Sequence, residues 1–111
     1  MYIPHATIEV IMYVELLEKV TGFEWDAGNK QKSLVKHEVS NEECEETFFD
    51  SKKEIQKDIL HSLNEERYVL IGQTKKGRLL YIIFTIRKNK IRVISARDIN
   101  KKERKLYEEK N

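Results

Sequence analysis

The fold is decided between Arg67 and Arg97, where the sequence reads RYVLIGQTKKGRLLYIIFTIRKNKIRVISAR. This stretch contains three runs rich in β-branched and aromatic residues, which are typical of strands: residues 67–71, 78–86 and 91–97. The two connectors between them are short enough for hairpins, so consecutive strands should be antiparallel neighbours. The stretch therefore predicts a three-stranded meander.

The segment before the meander predicts a short strand and then a helix. Phe23-Glu24-Trp25 alternates between apolar and polar residues, as a short strand does. Asp26 is a good N-cap residue, and it predicts a helix that runs to His37.

A second helix is predicted from a capping box, which Ser40 forms with Glu43 three residues later. Cys44 and Phe48 share one face of this helix, and Cys44 is expected to be a small buried hydrophobe. The stretch Ser51–Asn64 stays open, because its apolar spacing fits a helix, a strand or a loop.

The two ends of the chain complete the predicted architecture. Asn100 and Glu103 make a second capping pair before a basic C-terminal helix. Residues 1–22 are predicted to be a helical extension, with Met12 as an alternative start, and residues 23–111 to be one domain. The fold class is α+β: a twisted antiparallel sheet of the meander and a short N-terminal strand, packed with two helices of the first half and the C-terminal helix.

The net charge of +2 over 111 residues hides two oppositely charged halves. Residues 1–66 hold 7 Lys and Arg against 15 Asp and Glu, whereas residues 67–111 hold 14 against 4. A basic half on a nearly neutral protein indicates a face for a polyanion or an acidic partner.

Several classes of protein are excluded by the sequence. The longest uncharged apolar run is Leu79–Phe84, far short of the roughly 18 to 20 residues of a membrane span. The N-terminus has no secretory signal pattern, so a cytoplasmic location is expected. A single cysteine and three scattered histidines form no metal-ligand motif, so neither a metal nor another cofactor is predicted.

A series of short motifs resembles BrnT-type toxins over about 85 residues. In order, they are Phe23-Glu24-Trp25-Asp26, Lys36-His37 before Val39-Ser40, Asp58 with His61-Ser62, Glu65-Glu66-Arg67, Ile71-Gly72, Gly77-Arg78, Thr85-Ile86-Arg87, Ile94-Ser95-Ala96-Arg97, and Glu103-Arg104 with Tyr107. The resemblance implies a RelE-like fold and a ribonuclease toxin of a type II toxin–antitoxin pair.

The same resemblance implies a BrnA-like antitoxin of ribbon-helix-helix type, which binds the toxin in a two-plus-two assembly. DNA would be contacted only through that antitoxin, and no membrane would be involved. One position departs from the family pattern, which has Gly after the Lys-His pair where this chain has Glu38. A non-Gly residue in a left-handed C-cap costs about 1 kcal/mol, so either the helix ends differently or the strain is accepted.

Cleavage of RNA without a metal requires stabilisation of a phosphorane, and arginine suits this task because its planar fork grips two phosphate oxygens. Arg67 and Arg97 fall in matching motifs at strand ends and are the predicted phosphate-stabilising residues. Strict alternation would place Arg92 on the opposite face of the last strand from Arg97, unless a bulge intervenes.

Five further residues complete the predicted catalytic and RNA-binding set. Lys36 and His37 are predicted to act in catalysis, since histidine is an acid or base near neutral pH, although a favourable contact with the helix dipole would also explain both. Arg78, Arg87 and Arg104 are predicted to contact the RNA backbone, or in the case of Arg78 and Arg87 the antitoxin.

The resulting hypothesis is a metal-independent endoribonuclease that cuts messenger RNA, inhibits translation and is neutralised by its antitoxin. The alternative, from a different class, is a non-catalytic RNA- or protein-binding module on the same scaffold. It is motivated by Glu38 and by the absence of an unambiguous acid–base pair.

Overall fold

The computed structural model of the protein describes residues 15–30, 32–62 and 64–109, and in them it has the predicted α+β architecture. The strands are β1 Gly22–Phe23, β2 Glu54–Lys57, β3 Tyr68–Gln73, β4 Leu79–Arg87 and β5 Lys90–Asp98. The helices are α1 Lys32–His37, α2 Asn41–Thr47 and α3 Lys101–Glu109, with a 3₁₀ turn at Ile59–His61. All five strands join one sheet in the order β1-β5-β4-β3-β2.

The predicted meander is confirmed, because β3, β4 and β5 pair as consecutive antiparallel strands. The prediction of a wholly antiparallel sheet was wrong, because β1 pairs with β5 in parallel. The sheet also has a fifth strand, β2, in the stretch that the sequence pattern left open. The sequence pattern could not reveal β2, because this edge strand has four residues and only one apolar side chain, Ile55. So short a segment shows no alternation that differs from helical spacing.

The first predicted helix begins later than expected, at Lys32 rather than after Asp26. The Asp26 carboxylate accepts the backbone N–H of Gly28 at 2.8 Å and so closes a turn instead of capping a helix. Within this turn the side-chain amide of Asn29 donates to the carbonyls of Glu24 and Val93. The turn is thereby tied to the edge of β5, which prevents an earlier helix start.

The predicted N-terminal extension lies mostly outside the described residues. Of its described part, residues 15–18 are helical. Leu16, Leu17 and Val20 pack against the buried core cluster.

One face of the sheet carries the core, and α2 packs on it. The Ser40–Glu43 capping box is present with both of its hydrogen bonds, so this helix begins where the sequence predicts. Cys44 is almost fully buried, as expected, and burial raises the pKa of its thiol to about 12. Gly72 allows the close approach of helix and sheet, because a Cβ atom there would lie 2.8 Å from the backbone oxygen of Thr47.

The opposite face, which we call the open face, carries Val69, Ile71, Tyr81, Ile83, Ser95 and Arg97 in register across β3, β4 and β5. A β-bulge in β5 decides its composition. Val93 pairs with Phe84, whereas Ser95 pairs with Ile83, so Ile94 is an extra residue. Because of this extra residue, Arg92 and Arg97 lie on the same face of β5, which is the exception to strict alternation.

The C-terminal helix α3 is held against the sheet by its cap and by one tyrosine. The predicted capping pair is confirmed, since Asn100 accepts the N–H of Glu103 while Glu103 accepts that of Asn100. Tyr107 is buried, and its hydroxyl donates to Asp50 at 2.7 Å. The same Asp50 oxygen accepts the backbone N–H of Gln73, so Asp50 joins α3 to the end of β3.

Helix α1 ends in a left-handed residue that is not glycine, so of the two possibilities raised by Glu38 the strained helix end is the one observed. Glu38 has a φ of 58°, in the left-handed region that favours glycine. The Arg78 guanidinium donates to the carbonyl of Glu38 at 2.9 Å and to that of His37 at 3.3 Å. These bonds satisfy carbonyls that a helix end otherwise leaves unpaired, which offsets part of the strain.

Replacing Glu38 by Gly should therefore stabilise the protein by about 1 kcal/mol, because glycine has no Cβ to strain this conformation while the Arg78 contacts to the backbone persist. Urea unfolding at pH 7 measures the change. The matched control is Glu42→Gly within α2, which should destabilise by about 1 kcal/mol. Equal effects of the two substitutions would contradict a left-handed Glu38.

The Asp50 contacts also predict a pH dependence of stability. Burial alone would raise the pKa of Asp50, but hydrogen bonds from Tyr107 and two backbone N–H groups lower it below its usual value. The stabilisation is therefore present above the unfolded pKa of about 4 and is lost as pH falls through the lower folded pKa. Asp50→Asn should cost about 1 kcal/mol at pH 7, and its difference from wild type in urea unfolding should shrink between pH 5 and pH 3. A difference that stays constant over this range would disprove the linkage.

Candidate functional site

A groove separates α3 from the open face of the sheet. Its volume is about 420 Å³, and its sheet wall contains the half-buried Val69 and Tyr81 together with Ile71. Leu106 of α3 faces it from the other side, with Gln56, Asn100 and Lys102 among the polar residues of the lining. The groove is open enough for an extended ligand, and apolar walls beside polar groups suit a nucleobase as well as a peptide side chain.

Arg97 lies beside this groove and is held in a fixed orientation by two of its lining residues, Glu103 and Tyr81. Its two terminal nitrogens each donate to one oxygen of Glu103, at 2.8 Å in both cases. The guanidinium carbon lies 4.1 Å from the centroid of the Tyr81 ring, directly across the strand pair. The hydrogen bonds to Glu103 raise the pKa of Arg97, so this side chain is a permanent, oriented cation.

Glu103 links the cation to the helix. Burial alone would raise the pKa of this carboxyl, but the bonds from Arg97 and the backbone N–H of Asn100 lower it below its usual value. One carboxylate therefore caps α3 and orients Arg97 at the same time. A phosphate that reaches Arg97 would compete with Glu103 for the same two nitrogens.

Arg67 lies at the other end of the open face, immediately before β3. Backbone bonds hold this position, from Arg67 N–H to the Ser62 hydroxyl and from Asp58 N–H to the Arg67 carbonyl. The Arg67 guanidinium forms no ion pair with any residue that the structure describes. The register of Ile71 with Tyr81 and Arg97 places the two arginines about 13 Å apart along the strands and about 10 Å across them. The backbone geometry thus separates them rather than joining them around one point.

Lys36 and His37 lie at the last turn of α1, as predicted. Lys36 is exposed and His37 is half-buried. The hydrogen bond from Arg78 is the main cause of the lowered pKa of Asp98, the residue after Arg97, and His37 makes the smallest electrostatic contribution. His37 and Arg97 therefore flank the same strand end, and Arg67 does not share it.

The predicted RNA-binding arginines are engaged with acidic side chains. Arg78 bonds to Asp98 and Glu43, and Arg87 makes a two-pronged contact with Glu65. Arg104 pairs loosely with Glu108 at 3.8 Å, one helical turn away. Arg78 in particular joins α1, α2 and β5, which is a structural role in addition to any contact with a ligand.

A family model described as "Ribonuclease toxin, BrnT, of type II toxin-antitoxin system" matches residues 25–103. This match covers most of the chain and includes every predicted catalytic residue. The chain belongs to the BrnT toxin family. A comparison with curated proteins returned no match.

Membership of the BrnT family makes the chain a ribonuclease toxin of a type II system, and such a toxin has a cognate antitoxin. The matched region stops one residue before Arg104. In the described part of the chain, no helix is long and apolar enough to cross a membrane. Within the same residues, no group of three or more His, Cys, Asp and Glu side chains could hold a metal ion.

Strict alternation placed Arg92 on the opposite face of β5 from Arg97, and the β-bulge is the exception that brings both to one face. The Arg92 side chain is only 12% exposed, and it donates to both oxygens of Asp26 and to Glu24. The bonds from Arg92, together with the backbone N–H of Gly28, lower the pKa of Asp26 to about 2. Arg92 therefore anchors the turn after β1 to β5. The bulge at Ile94 has no signal in the sequence that would have revealed this arrangement.

Replacing Glu103 by Gln should destabilise the BrnT fold by about 1 kcal/mol, because Arg97 loses its charged partner while the helix cap is partly kept. Urea unfolding measures the loss. Glu108→Gln on the same helix is the matched control, and it should change the free energy of unfolding by less than about 0.5 kcal/mol, since its pair with Arg104 is long and exposed. Indistinguishable effects would show that the Arg97–Glu103 fork contributes no more than an exposed pair.

Proposed function

We propose that this BrnT family member is a metal-independent endoribonuclease that cuts messenger RNA and thereby inhibits translation. The single observation that carries the proposal is the oriented guanidinium of Arg97, stacked on Tyr81 beside a groove on the open face. An oriented arginine fork is suited to a phosphorane, because it offers two donors to two oxygens once the phosphate has displaced Glu103.

In the proposed reaction, the ribose 2′-oxygen attacks the adjacent phosphorus, and the bond to the 5′-oxygen breaks. A base takes the 2′-hydroxyl proton, and an acid supplies a proton to the leaving 5′-oxygen. Arg97 stabilises the phosphorane, and Lys36 and His37 are the candidates for proton transfer at the same strand end.

Arg67 takes a different part in this proposal. Because it lies about 13 Å from Arg97 along the strands, it holds a flanking phosphate of the same RNA rather than the scissile one. Its lack of an ion-pair partner among the described residues keeps its two terminal nitrogens available to a ligand. Arg104, Arg87 and Arg78 extend the backbone contacts where an RNA phosphate can displace a carboxylate.

The antitoxin of this pair is proposed to be a BrnA-like, ribbon-helix-helix protein, with two toxins and two antitoxins in the complex. An acidic or groove-filling segment of it would neutralise the toxin by occupying the groove between α3 and the open face. DNA would be bound through the antitoxin alone. A RelE-like classification of the fold belongs to the same proposal.

Cleavage assays with purified variants test the catalytic proposal. Wild type should degrade RNA in the presence of a chelator, and Arg97→Ala should lower the rate by roughly 10²- to 10³-fold, as loss of a transition-state donor does. Arg97→Lys should restore little of the rate, since an ammonium lacks the fork. Arg67→Ala should raise the RNA concentration needed for half-maximal rate. In cells, both alanine variants should be expressed without arresting growth.

Lys30→Ala is the control for charge, because Lys30 is exposed in the turn before α1 and should leave the rate unchanged. If Arg97→Ala and Arg67→Ala are folded and as toxic as the parent, the assignment of both residues is wrong. Loss of all cleavage on addition of a chelator would refute the metal-independent reaction.

A non-catalytic RNA- or protein-binding module is the second candidate. The Glu103 carboxylate already accepts hydrogen bonds from both terminal nitrogens of Arg97, and this observation favours a structural rather than a catalytic Arg97. Intact RNA after long incubation, together with binding that weakens steeply with salt, would support this candidate over the enzyme.

A further inference from the structure

An exposed aromatic residue stands between two lysine-bearing loops, away from the groove and Arg97. Phe49 follows α2 and is 81% exposed. Its own loop carries Lys52 and Lys53, and the β3–β4 turn beside it carries Lys75 and Lys76. We call these five residues the Phe49 surface.

The exposure of Phe49 is set by the end of α2. The preceding Phe48 is buried between Phe23 and Phe84, with ring centroids at 5.3 and 4.9 Å. Consecutive residues at a helix end point about 100° apart, so burying Phe48 directs Phe49 outward. Leaving a large aromatic ring in water forgoes the stabilisation that its burial would contribute, and such a ring is therefore a candidate ligand contact.

Hydrogen bonds hold the two loops in a defined relation. The backbone N–H of Gln73 donates to Asp50 at 2.8 Å, and that of Lys75 donates to Glu46 at 3.0 Å. A shallow cavity of about 460 Å³ lies between the loops, lined by Phe49, Thr74 and these four residues. The cavity is larger than one nucleobase. Its walls are held in place by these hydrogen bonds to backbone N–H groups.

The chemistry of this cavity favours a nucleotide over an apolar protein segment. Apart from Phe49, its lining is polar or charged. The carboxylates of Glu46 and Asp50 each accept backbone N–H groups, which compensates part of their charge. Lys75 and Lys76 are exposed at the rim. An aromatic ring for a base and lysines for phosphates are the elements of single-strand binding.

We propose that the Phe49 surface is a second contact for single-stranded RNA, with one unpaired base stacked on Phe49 and neighbouring phosphates held by the lysines. Its ligand class rests on the proposed function, but its geometry is separate from Arg97. Asp50, which lines the cavity at the Phe49 surface, bonds to Tyr107 of α3, whereas Leu106 of α3 lines the groove, so the same helix borders both places.

Binding of an uncleavable RNA tests this proposal without reference to catalysis. The probe is a fluorescein-labelled, fully 2′-O-methylated single strand of about ten nucleotides and mixed sequence, titrated with purified full-length protein and followed by anisotropy. Phe49→Ala should weaken binding about tenfold, and Phe49→Leu nearly as much. Phe49→Trp should bind at least as tightly as wild type, because stacking is retained.

The lysines are tested by the salt dependence of the same titration. The double variant Lys75→Ala with Lys76→Ala should reduce the slope of log affinity against log salt by about 1.4, which corresponds to two single-strand phosphate contacts. Lys19→Ala with Lys30→Ala removes the same charge from exposed positions elsewhere and should leave the slope nearly unchanged. Unaltered thermal unfolding of each variant confirms that the fold is intact.

The proposal would be overturned if Phe49→Ala bound the probe with wild-type affinity and the Lys75 and Lys76 double variant showed the wild-type salt slope. A protein partner would then be the occupant of this surface. Tight binding by Phe49→Leu would also overturn it, since an aliphatic residue cannot stack. The result is independent of the proposed enzyme: a protein that fails to cleave RNA can still show the Phe49 dependence, and an active nuclease can lack it.

Discussion

The register between β4 and β5 is the constraint on which the site depends. One extra residue in β5, Ile94, shifts the register with β4 by one residue. Each side chain of β5 after Ile94 therefore lies on the opposite face from the one that strict alternation would give it. Without the bulge, Arg97 would share the face of the buried Val93 and could not stack on Tyr81. The bulge interrupts the β4–β5 hydrogen-bond ladder at one residue, and in return it places the Arg97 cation beside the groove.

The opposite charges of the two halves of the chain are used largely within the fold. Acidic residues of the first half bind three arginines of the second: Asp26 and Glu24 bind Arg92, Glu43 binds Arg78, and Glu65 binds Arg87. A net +10 in residues 67–111 consequently does not become a uniformly basic face. Arg97 and Arg104 pair with acidic residues of the second half, whereas Arg67 has no ion-pair partner among the described residues. Lysines supply much of the exposed positive charge at the β3–β4 turn.

Helix α3 couples the geometry of the groove to stability. It is bonded at its first turn through Glu103 to Arg97 and near its end through Tyr107 to Asp50. Both bonds are accepted by a carboxylate, so protonation of these carboxylates at low pH weakens the attachment of α3 to the sheet and lowers the stability of the fold. The carboxylate of Glu103 that caps the helix also orients Arg97, so any phosphate that binds this guanidinium has to displace the cap residue.

The sequence by itself determined the meander, both capping boxes, the burial of Cys44 and the family, because each depends on residues close in the chain or on a series of short motifs. The tertiary structure alone decided the fifth strand, the parallel pairing of β1 and the late start of α1. It also decided that Arg92 and Arg97 share a face and that Arg67 lies far from Arg97. These features arise from pairings between residues distant in sequence, such as Asp26 with Arg92, and a bulge has no composition of its own by which local patterning could reveal it.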